Sequence, residues 1–513
     1  MLKSLLAGAG AVSLLAVPAL AEITLSHIGS IKSEAAGEGA AEIVDYDPAS
    51  KRLFITNASG SVDIVDISDP KAPKNAGRID TKPYGAGVNS VAVSKNGIVA
   101  LAIESDPKTA TGKIVFFSTD GKHRATANTC ALPDMVTFSP DGRYAVSACE
   151  GEANQAYDND PEGAVAIVDL SKGIDNLPDA AVKIADFKAW DAKGAPEGAR
   201  IGKPGQPFSR DVEPEYVAVS ADSTTAYVTL QENNAIAIVD LAEGKVKDVV
   251  GLGWKDHSKI PFDASDKDGG INIKTWPVWG MYMPDSIAAF SVGGQTYLAI
   301  ANEGDSRDWK GWSEEARVAD LTLDEKTFPN AKELQAPAAL GRLKTTKTMG
   351  DADGDGKYEK IFSYGGRSFS ILDASGKMIF DSGDQFERYI AEKLPKHFNG
   401  ETNSALDDRS DDKGPEPEAI ATGVINGVTY IFIGLERQGG VMVYSAADPK
   451  APKFETYFTS RNFEGDTKKG TAGDIAPEGF KFISAENSPT GKPMLAAAHE
   501  VSGTTALYEI TVK

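Results

Sequence analysis

Short apolar segments alternate with turn residues along almost the whole chain, and one unit of this pattern recurs. The unit has an acidic or amide residue, a short apolar strand, a turn, a second strand and often a third strand that ends in Val-Asp. Gly, Asn, Asp and Pro occupy the turns, as strand-turn patterns require. The copies begin at Glu42, Asn89, Asp134, Glu215, Asp285, Glu418 and Glu478.

The spacing of these copies predicts an all-β fold. A short copy takes about 45 residues, which is the length of a four-stranded propeller blade, so we expect a seven-bladed β-propeller. The last copy supplies only three strands, and residues 23–29 can provide its fourth strand. Strands from both ends of the chain would then close one blade and leave few free sheet edges. A string of β-sandwiches is the rival interpretation, but the sequence lacks the linkers that it needs.

Long insertions interrupt the repeats. We name the strands of a blade A to D, from the channel to the rim. Two insertions lie between strands B and C, at about 150–162 and 303–345. The others lie between strand D and the next strand A, at about 187–214, 251–284, 382–417 and 458–477. Both connections leave an up-and-down blade on the same face, and long loops on a rigid scaffold commonly carry function. We therefore expect binding or catalysis on this face.

Acidic residues are concentrated where strands A begin and strands B end, at the channel mouth on the same face. The strand A positions are the starts of the seven units, which are all acidic except Asn89. The strand B positions are Glu104, Glu150, Glu232, Glu303, Glu436 and Glu500. Such carboxylates repel one another unless they are hydrogen-bonded, protonated or bound to metal. Two interpretations stay open: a cation-binding mouth, or carboxylates that bind backbone N–H groups of neighbouring loops.

Residues 350–359 form the sharpest local motif, Gly-Asp-Ala-Asp-Gly-Asp-Gly-Lys-Tyr-Glu. Its alternating acids and glycines are typical of the opening of a calcium loop. The predicted calcium ligands are Asp351, Asp353, Asp355 and Glu359. A full EF-hand is excluded, because its twelfth position would be Phe362. An acidic turn without metal is the alternative.

The beginning of the chain predicts export. Residues 1–21 combine Lys3, an apolar stretch and an Ala-x-Ala cleavage site, which is typical of a signal peptide. Residues 22–513 would form the single propeller domain. No later stretch approaches about 18 consecutive apolar residues, so we expect no membrane span in the mature chain. The expected location is the periplasm or outside the cell.

The net charge of the chain narrows the choice of partner. A formal net charge of −21 argues against nucleic acid as a partner and favours cations or basic partners.

Cys130 and Cys149 are the only cysteines. In an oxidising compartment they form one disulfide or stay as buried thiols, and they would meet if residues 130–149 form a hairpin.

The arginines and aromatic residues of the loop face could either bind a ligand or stabilise the loops. Arg307, Arg367, Arg409 and Arg437 lie among acids, where they hold a phosphate or carboxylate or form structural ion pairs. The aromatic residues stack on a ligand or pack the loops; they are Trp276, Trp279, Tyr282, Trp309 and Trp312. The sequence has no nucleophile elbow, P-loop or zinc-protease motif.

Several long motifs resemble those of the choice-of-anchor I family. They lie at residues 132–142, 227–236, 301–305, 350–356, 362–370, 411–418 and 500–503. The resemblance covers nearly all of the mature chain. The family includes mesenchyme-specific cell-surface glycoproteins linked to biomineralisation, and its bacterial members are exported with varied C-terminal anchors. Some relatives are labelled atypical alkaline phosphatases, often with a phytase-like domain. From the sequence, which ends at Lys513, we expect neither an anchor nor such a domain in this chain.

Two functional hypotheses follow. The first is a calcium-binding scaffold or ligand-binding protein of the cell envelope, with an unknown small-molecule, phosphate-containing or protein ligand on the loop face. The second is a calcium-dependent phosphoesterase in which clustered acids hold metal ions that activate water. If it is an enzyme, the candidate catalytic residues are Glu418, Glu478, Arg437 and Glu500.

Overall fold

Antiparallel hairpins follow one another along the chain and group into four-stranded sheets. The computed structural model describes residues 23–34, 39–57, 59–175, 177–402 and 405–513; the predicted signal peptide lies outside these ranges. The described residues contain seven four-stranded sheets, each antiparallel throughout. The all-β prediction is confirmed.

We number the sheets 1 to 7 by their first strands. Sheet 1 contains Val44–Asp47, Arg52–Asn57, Ser61–Asp66 and Lys74–Asp80. Sheet 2 contains Gly87–Val93, Ile98–Glu104, Thr111–Ser118 and His123–Ala131. Sheet 3 contains Pro133–Phe138, Tyr144–Cys149, Ala164–Asp169 and Val182–Asp186. Sheet 4 contains Pro214–Val219, Thr225–Leu230, Ala235–Asp240 and Lys245–Gly251.

The remaining three large sheets include the one that joins the ends of the described chain. Sheet 5 contains Ile287–Val292, Gln295–Asn302, Ser368–Asp373 and Met378–Asp381. Sheet 6 contains Pro417–Ile425, Val428–Leu435, Val441–Ser445 and Lys453–Phe458. Sheet 7 contains Pro477–Ile483, Met494–His499, Thr504–Val512 and Ile23–Lys32. Ile23 pairs with Val512 in that sheet, as the sequence predicts.

Smaller elements lie in the insertions. A three-stranded sheet contains Trp254–Asp256, Trp279–Met281 and Phe362–Ser363. One two-stranded sheet pairs Asp308–Trp309 with Trp312–Ser313, and another pairs Glu315–Arg317 with Lys344–Thr346. The α-helices are Phe208–Asp211, Ala331–Leu334 and Gln385–Lys393, and the 3₁₀ helices are Asp179–Ala181, Lys188–Trp190 and Val318–Asp320. No helix among the described residues is long and apolar enough to cross a membrane.

The large sheets stack face to face, which explains the apolar pattern of their strands. In Ile98–Glu104 the five residues from Val99 to Ile103 are all buried, because both faces of this strand are covered. The fourth strand of the same sheet, His123–Ala131, instead alternates exposed and buried positions near the surface. A buried apolar cluster separates each consecutive pair of sheets, and another separates sheet 7 from sheet 1.

First strands of neighbouring sheets also contact one another from sheet 1 to sheet 7, and the first strand of sheet 7 contacts that of sheet 1. A disulfide joins Cys130 to Cys149, with their Cα atoms 5.8 Å apart. Because Cys130 lies in the last strand of sheet 2 and Cys149 in the second strand of sheet 3, this bond connects two sheets.

Three of the long insertions contact one another. The Gly311 N–H donates to the Gln155 carbonyl at 2.8 Å, and Lys344 Nζ lies 3.2 Å from Asp412 Oδ2. The insertion in sheet 5 extends to residue 367, beyond the predicted end at about 345, because Lys344–Thr346 pairs inside the insertion and not with the sheet. Its apolar side chains share a separate buried cluster with residues 262–278.

Candidate functional site

The residues that begin the first strands meet around one small cavity. This cavity has a volume of about 160 Å³ and receives residues from the starts of six of the seven sheets. The side chains that line it include Glu42, Asn89, Asp134, Glu215, Asp285 and Glu478. The periodic acids of the sequence therefore lie together in space, although they are separated by hundreds of residues in the chain.

Two groups of three carboxylates are especially close. Oxygen atoms of Asp134, Glu150 and Glu215 all lie within 4.8 Å of one another. The same is true of Asp285, Glu303 and Glu418. Each group combines two residues of one sheet, at the start of its first strand and the end of its second, with a first-strand residue of the next sheet. The face-to-face stacking of consecutive sheets thus creates both groups.

The name carboxylate ring is used below for seven of these residues. They are Glu42, Asp134, Glu150, Glu215, Asp285, Glu418 and Glu478. Within the described part of the chain, none of the seven carboxylates forms an ion pair, and no backbone N–H of those residues donates a hydrogen bond to them. Atom Oε2 of Glu418 is buried without any hydrogen-bond partner. These contacts argue against carboxylates whose role is to bind the backbone of neighbouring loops.

Burial and repulsion by nearby acids raise the pKa of every carboxyl in the ring. Burial, followed by the charges of Asp134 and Glu500, raises the pKa of Glu42 to about 8. Burial also raises the pKa of Asp134 to about 7, with Glu152 and Glu104 adding to the effect. Burial is likewise the largest cause of the well-raised pKa values of Glu150, Glu215, Asp285, Glu418 and Glu478. Such carboxyls hold protons near neutral pH or require a cation beside them.

A second layer of acids surrounds the ring, and each of these acids is paired with a base. Glu213 Oε1 lies 3.2 Å from Arg307 Nε, and Glu152 pairs with Lys108. Glu416 pairs with three cations, Arg409, Lys413 and Arg437. Sequence reasoning missed this layer.

A signal for the second layer was present in the sequence. Glu152, Glu213 and Glu416 each lie two residues from a ring acid, and alternate residues of an extended segment point to the same side. The bases that pair with them come from distant insertions, so only the structure distinguishes the paired layer from the unpaired ring.

The other predicted mouth acids occupy mixed environments. Glu303 pairs with Lys413 and accepts a hydrogen bond from Gln231 Nε2 at 2.9 Å. Glu436 lies 2.8 Å from Arg437. Glu104 ends its strand and has a pKa raised mainly by burial. Atom Oε2 of Glu232 is buried without a partner, and Glu500 directly follows the strand Met494–His499.

The arginines of the loop face are engaged in ion pairs. Arg367 Nη1 lies 2.8 Å from Glu387 Oε1 and donates to the Asp263 carbonyl at 2.7 Å. Arg307, Arg409 and Arg437 pair with the acids of the second layer. Their side chains are therefore committed to holding the loops together.

Most of the candidate aromatic residues also pack the loops. Trp276 is buried in the cluster of the sheet 5 insertion, and Trp279 packs against a small cluster that includes Met281 and Phe362. The ring centroids of Trp312 and Tyr157 are 5.3 Å apart, and Lys108 lies over the ring of Trp309. Tyr282 is buried between sheets 4 and 5.

A sequence model for the choice-of-anchor I domain matches residues 42–449, which is most of the chain. The chain belongs to the choice-of-anchor I family. Gigasin-3a of Magallana gigas is 32% identical over 198 residues, which cover 34% of this chain and 66% of that protein. A mesenchyme-specific cell surface glycoprotein of Strongylocentrotus purpuratus is 27% identical over 354 residues, which cover 61% of this chain and 42% of that protein. The chain thus spans less than two thirds of the length of either relative.

Two solved structures match most of the choice-of-anchor I chain at low sequence identity. The beta-propeller domain of Cps50 (Swd1) from Myceliophteria thermophila has a TM-score of 0.48 and 8% sequence identity over 95% of this chain and 100% of that one. Hydrazine synthase of Kuenenia stuttgartiensis has a TM-score of 0.46 and 14% identity over 94% of this chain and 97% of that one.

The predicted calcium loop of this choice-of-anchor I domain is largely exposed, and none of its residues lines the cavity of the ring. Oxygen atoms of Asp351, Asp353 and Asp355 lie within 4.8 Å of one another. Asp351 organises the turn, because its carboxylate accepts hydrogen bonds from the N–H groups of Gly354 at 2.7 Å and Gly356 at 2.9 Å. Glu359 is not part of the group; its carboxylate accepts a hydrogen bond from the Ala352 N–H at 2.7 Å.

We expect the double variant Asp353→Ala with Asp355→Ala to remove one weak calcium equivalent from the choice-of-anchor I domain. Both side chains are exposed, so the fold should be unaffected and the thermal midpoint without calcium should be unchanged. Isothermal titration calorimetry measures the number of equivalents. Unchanged calcium binding in the double variant would show that this loop is an acidic turn without metal.

Proposed function

We propose that this chain is an extracellular or cell-surface protein in which a calcium-loaded carboxylate ring holds a ligand. Membership of the choice-of-anchor I family supports the location, as does the similarity to a cell surface glycoprotein. The proposed role is that of a scaffold or ligand-binding protein.

The architecture that we propose for this role is one seven-bladed β-propeller. Seven four-stranded sheets and the apolar clusters between them, including the cluster between sheets 7 and 1, support a closed ring of blades. In such a ring the first strands face the central channel. The carboxylate ring then lies at the channel mouth, beneath the long loops.

The single observation that carries the proposal is the lack of charge compensation in the carboxylate ring. The acids of the second layer have basic partners, whereas the ring carboxylates have none in the described part of the chain. Calcium prefers oxygen ligands, and two ligands on opposite sides of one ion lie about 4.8 Å apart. The two three-carboxylate groups fit this requirement.

In this proposal the ligand binds directly to a calcium ion that the ring carboxylates hold. Calcium takes six to eight oxygen ligands, so three carboxylates leave coordination positions for a phosphate, a carboxylate or a protein oxygen. The arginines of the same face are engaged in ion pairs, which favours recognition through the metal over an arginine-held phosphate. This arrangement favours binding over phosphoester hydrolysis.

We expect the double variant Asp285→Asn with Glu418→Gln to lower the calcium affinity of the ring at least about tenfold, because substitution of residues that only orient a metal ligand already costs that much. Both changes keep the side-chain shape. The charge-matched control is Glu325→Gln with Glu333→Gln, which alters two exposed acids elsewhere on the loop face. Calorimetry of the full chain measures both. Equal affinities in variant and control would contradict a ring site.

Hydrolysis of a generic phosphomonoester separates the two functional hypotheses. We expect no turnover from about pH 6 to pH 10, while calcium still raises the thermal midpoint. Turnover that disappears with a chelator and in Glu418→Gln and Glu478→Gln would instead make the protein a metal-dependent phosphoesterase.

A further inference from the structure

A third group of carboxylates lies between two insertions, outside the carboxylate ring. Oxygen atoms of Asp263, Asp268 and Asp407 lie within 4.8 Å of one another. Asp263 and Asp268 belong to the insertion between sheets 4 and 5, whereas Asp407 belongs to the insertion between sheets 5 and 6. Asp263 is fully buried, and Asp407 is 4% exposed. These acids therefore face one another across a contact between distant parts of the chain.

The bases near this group are bound to other partners. Arg367 pairs with Glu387, and Arg342 lies 2.9 Å from Asp411 and 2.5 Å from Asp266. Lys267 pairs with Asp266. Across the ranges that the structure describes, no ion pair involves Asp263, Asp268 or Asp407. Three carboxylates thus meet without a cation from the protein.

Burial, with the charges of neighbouring acids, raises the pKa of two of the three acids. Burial, offset in part by a hydrogen bond from Ser410, raises the pKa of Asp407 to about 7, and the charges of Asp263 and Asp268 add to the increase. Burial is also the largest cause of the increase in the pKa of Asp263 to about 6.

A fully buried amide provides independent evidence for a ligand. Asn399 donates through Nδ2 to Glu387 Oε1 at 2.8 Å and to Ser410 Oγ at 2.9 Å, and the Ser410 hydroxyl donates to Asp407 Oδ1 at 2.5 Å. This chain of hydrogen bonds fixes the Asn399 amide beside Asp407. Its oxygen, Oδ1, is buried and has no hydrogen-bond partner. A buried acceptor without a donor is unfavourable, and a cation would satisfy it.

The carboxylate of Asp268 also lacks a partner for one of its oxygens. Its Oδ2 accepts a hydrogen bond from Asn272 Nδ2 at 2.8 Å, but its Oδ1 is buried without a partner. Asn399 and Asp268 thus each keep one buried oxygen without a partner, as the absence of a hard cation would leave them.

We infer that Asp263, Asp268 and Asp407, together with the amide oxygen of Asn399, bind a calcium ion that joins the two insertions. All four donors are oxygens, which suit calcium and not the nitrogen and sulfur sites of zinc. The separation of the carboxylate oxygens matches ligands on one ion at calcium distances. The ion would anchor the loops of the functional face, and this role is separate from ligand binding at the carboxylate ring.

The test uses the full chain with calcium alone. We expect Asp268→Asn with Asp407→Asn to remove one calcium equivalent or to lower its affinity about 100-fold, since loss of direct ligands exceeds the 10–100-fold cost of losing residues that orient them. Proteolysis within residues 382–416 should then become insensitive to calcium. The matched control is Asp408→Asn, which alters the exposed neighbour of Asp407 and should bind calcium like the unaltered chain.

Two measurements keep the test decisive. Asp285→Asn with Glu418→Gln should retain the equivalent that Asp268→Asn with Asp407→Asn loses, so failure at the ring and failure at this group are distinguishable. If the latter variant does not fold, anomalous scattering from crystals of the unaltered protein grown with calcium replaces it. A peak among Asp263, Asp268 and Asp407 supports the inference. Calcium peaks elsewhere with none at this group would overturn it.

Discussion

Replacing Arg307 by methionine is expected to destabilise the protein by about 3–5 kcal/mol, which is the usual cost of removing one partner from a buried ion pair. Arg307 is 2% exposed. Its guanidinium lies 3.2 Å from Asp211 Oδ1 and 3.2 Å from Glu213 Oε1. Methionine roughly preserves the packing volume, but it leaves two buried carboxylates without a counter-charge. Denaturant unfolding monitored by tryptophan fluorescence measures the loss.

The loss of Arg307 should also affect the neighbouring loops. Asp211 accepts hydrogen bonds from the Gly202 N–H and the Lys203 N–H, both at 2.8 Å, and from Asn233 Nδ2 at 2.7 Å. Because these hydrogen bonds connect Asp211 to the insertion before sheet 4, an uncompensated charge on Asp211 should also destabilise that insertion. Adding Glu213→Gln to Arg307→Met should recover part of the stability, because it removes one of the two unpaired charges.

The control for this prediction is an arginine–carboxylate ion pair at the surface. Arg124 Nη2 lies 2.8 Å from Asp175 Oδ1, but the side chain of Asp175 is 69% exposed. Solvent screens such a pair, so Arg124→Met should cost no more than about 1 kcal/mol. If the two methionine variants unfolded at the same denaturant concentration, burial would not be the reason for the cost at Arg307.

Local pattern was sufficient to predict the strands and the ends of sheet 7. Each first strand pairs with the strand that follows it in sequence, so the signal is confined to short segments such as residues 133–149. The pairing of Ile23–Lys32 with Thr504–Val512 is long-range, but it follows from counting strands, because the last repeat lacks one. The periodic position of the ring acids follows from the same repeat.

The internal structure of the insertions was beyond the reach of pattern analysis. Lys344–Thr346 pairs with Glu315–Arg317, and nothing in the repeat specifies that pairing. Asp407 meets Asp263 only because two insertions pack together. The run Asp266-Lys-Asp268-Gly-Gly carried a local calcium-like signal, but its partner across the contact depends on the tertiary structure.

The same limit applies to charge. Sequence spacing predicts which acids reach the channel mouth, but it does not predict which of them receive a base. Lys413 and Arg307 reach their acids from insertions whose paths the repeat does not determine. Consequently the difference between the paired second layer and the unpaired ring emerges only when the loops are in place.

Because the ring carboxyls have no basic partners among the residues that the structure describes, the stability of the protein without calcium should fall as pH rises from about 5 to about 8. The pKa of Glu42 is about 8 in the folded protein, against an ordinary value of 4.5, and that of Asp134 is about 7, against 3.8. Between the unfolded and folded pKa values the folded state binds more protons than the unfolded state. The stabilisation is therefore complete below the unfolded pKa and is lost as pH rises through the folded pKa.

Calcium should reverse this dependence, because it replaces the protons that the ring carboxyls lose. A pKa difference of one between folded and unfolded states is worth about 1.4 kcal/mol, so the increase in thermal midpoint caused by calcium should be several times larger at about pH 8 than at about pH 5.5. Differential scanning calorimetry with calcium and with chelator at both pH values measures this. The variant Asp285→Asn with Glu418→Gln carries two fewer ring charges, so its midpoint without calcium should depend less on pH. A midpoint that rose with pH in the presence of chelator would mean that the ring carboxyls are ionised and compensated in the folded protein, and the calcium-loaded ring would lose its physical basis.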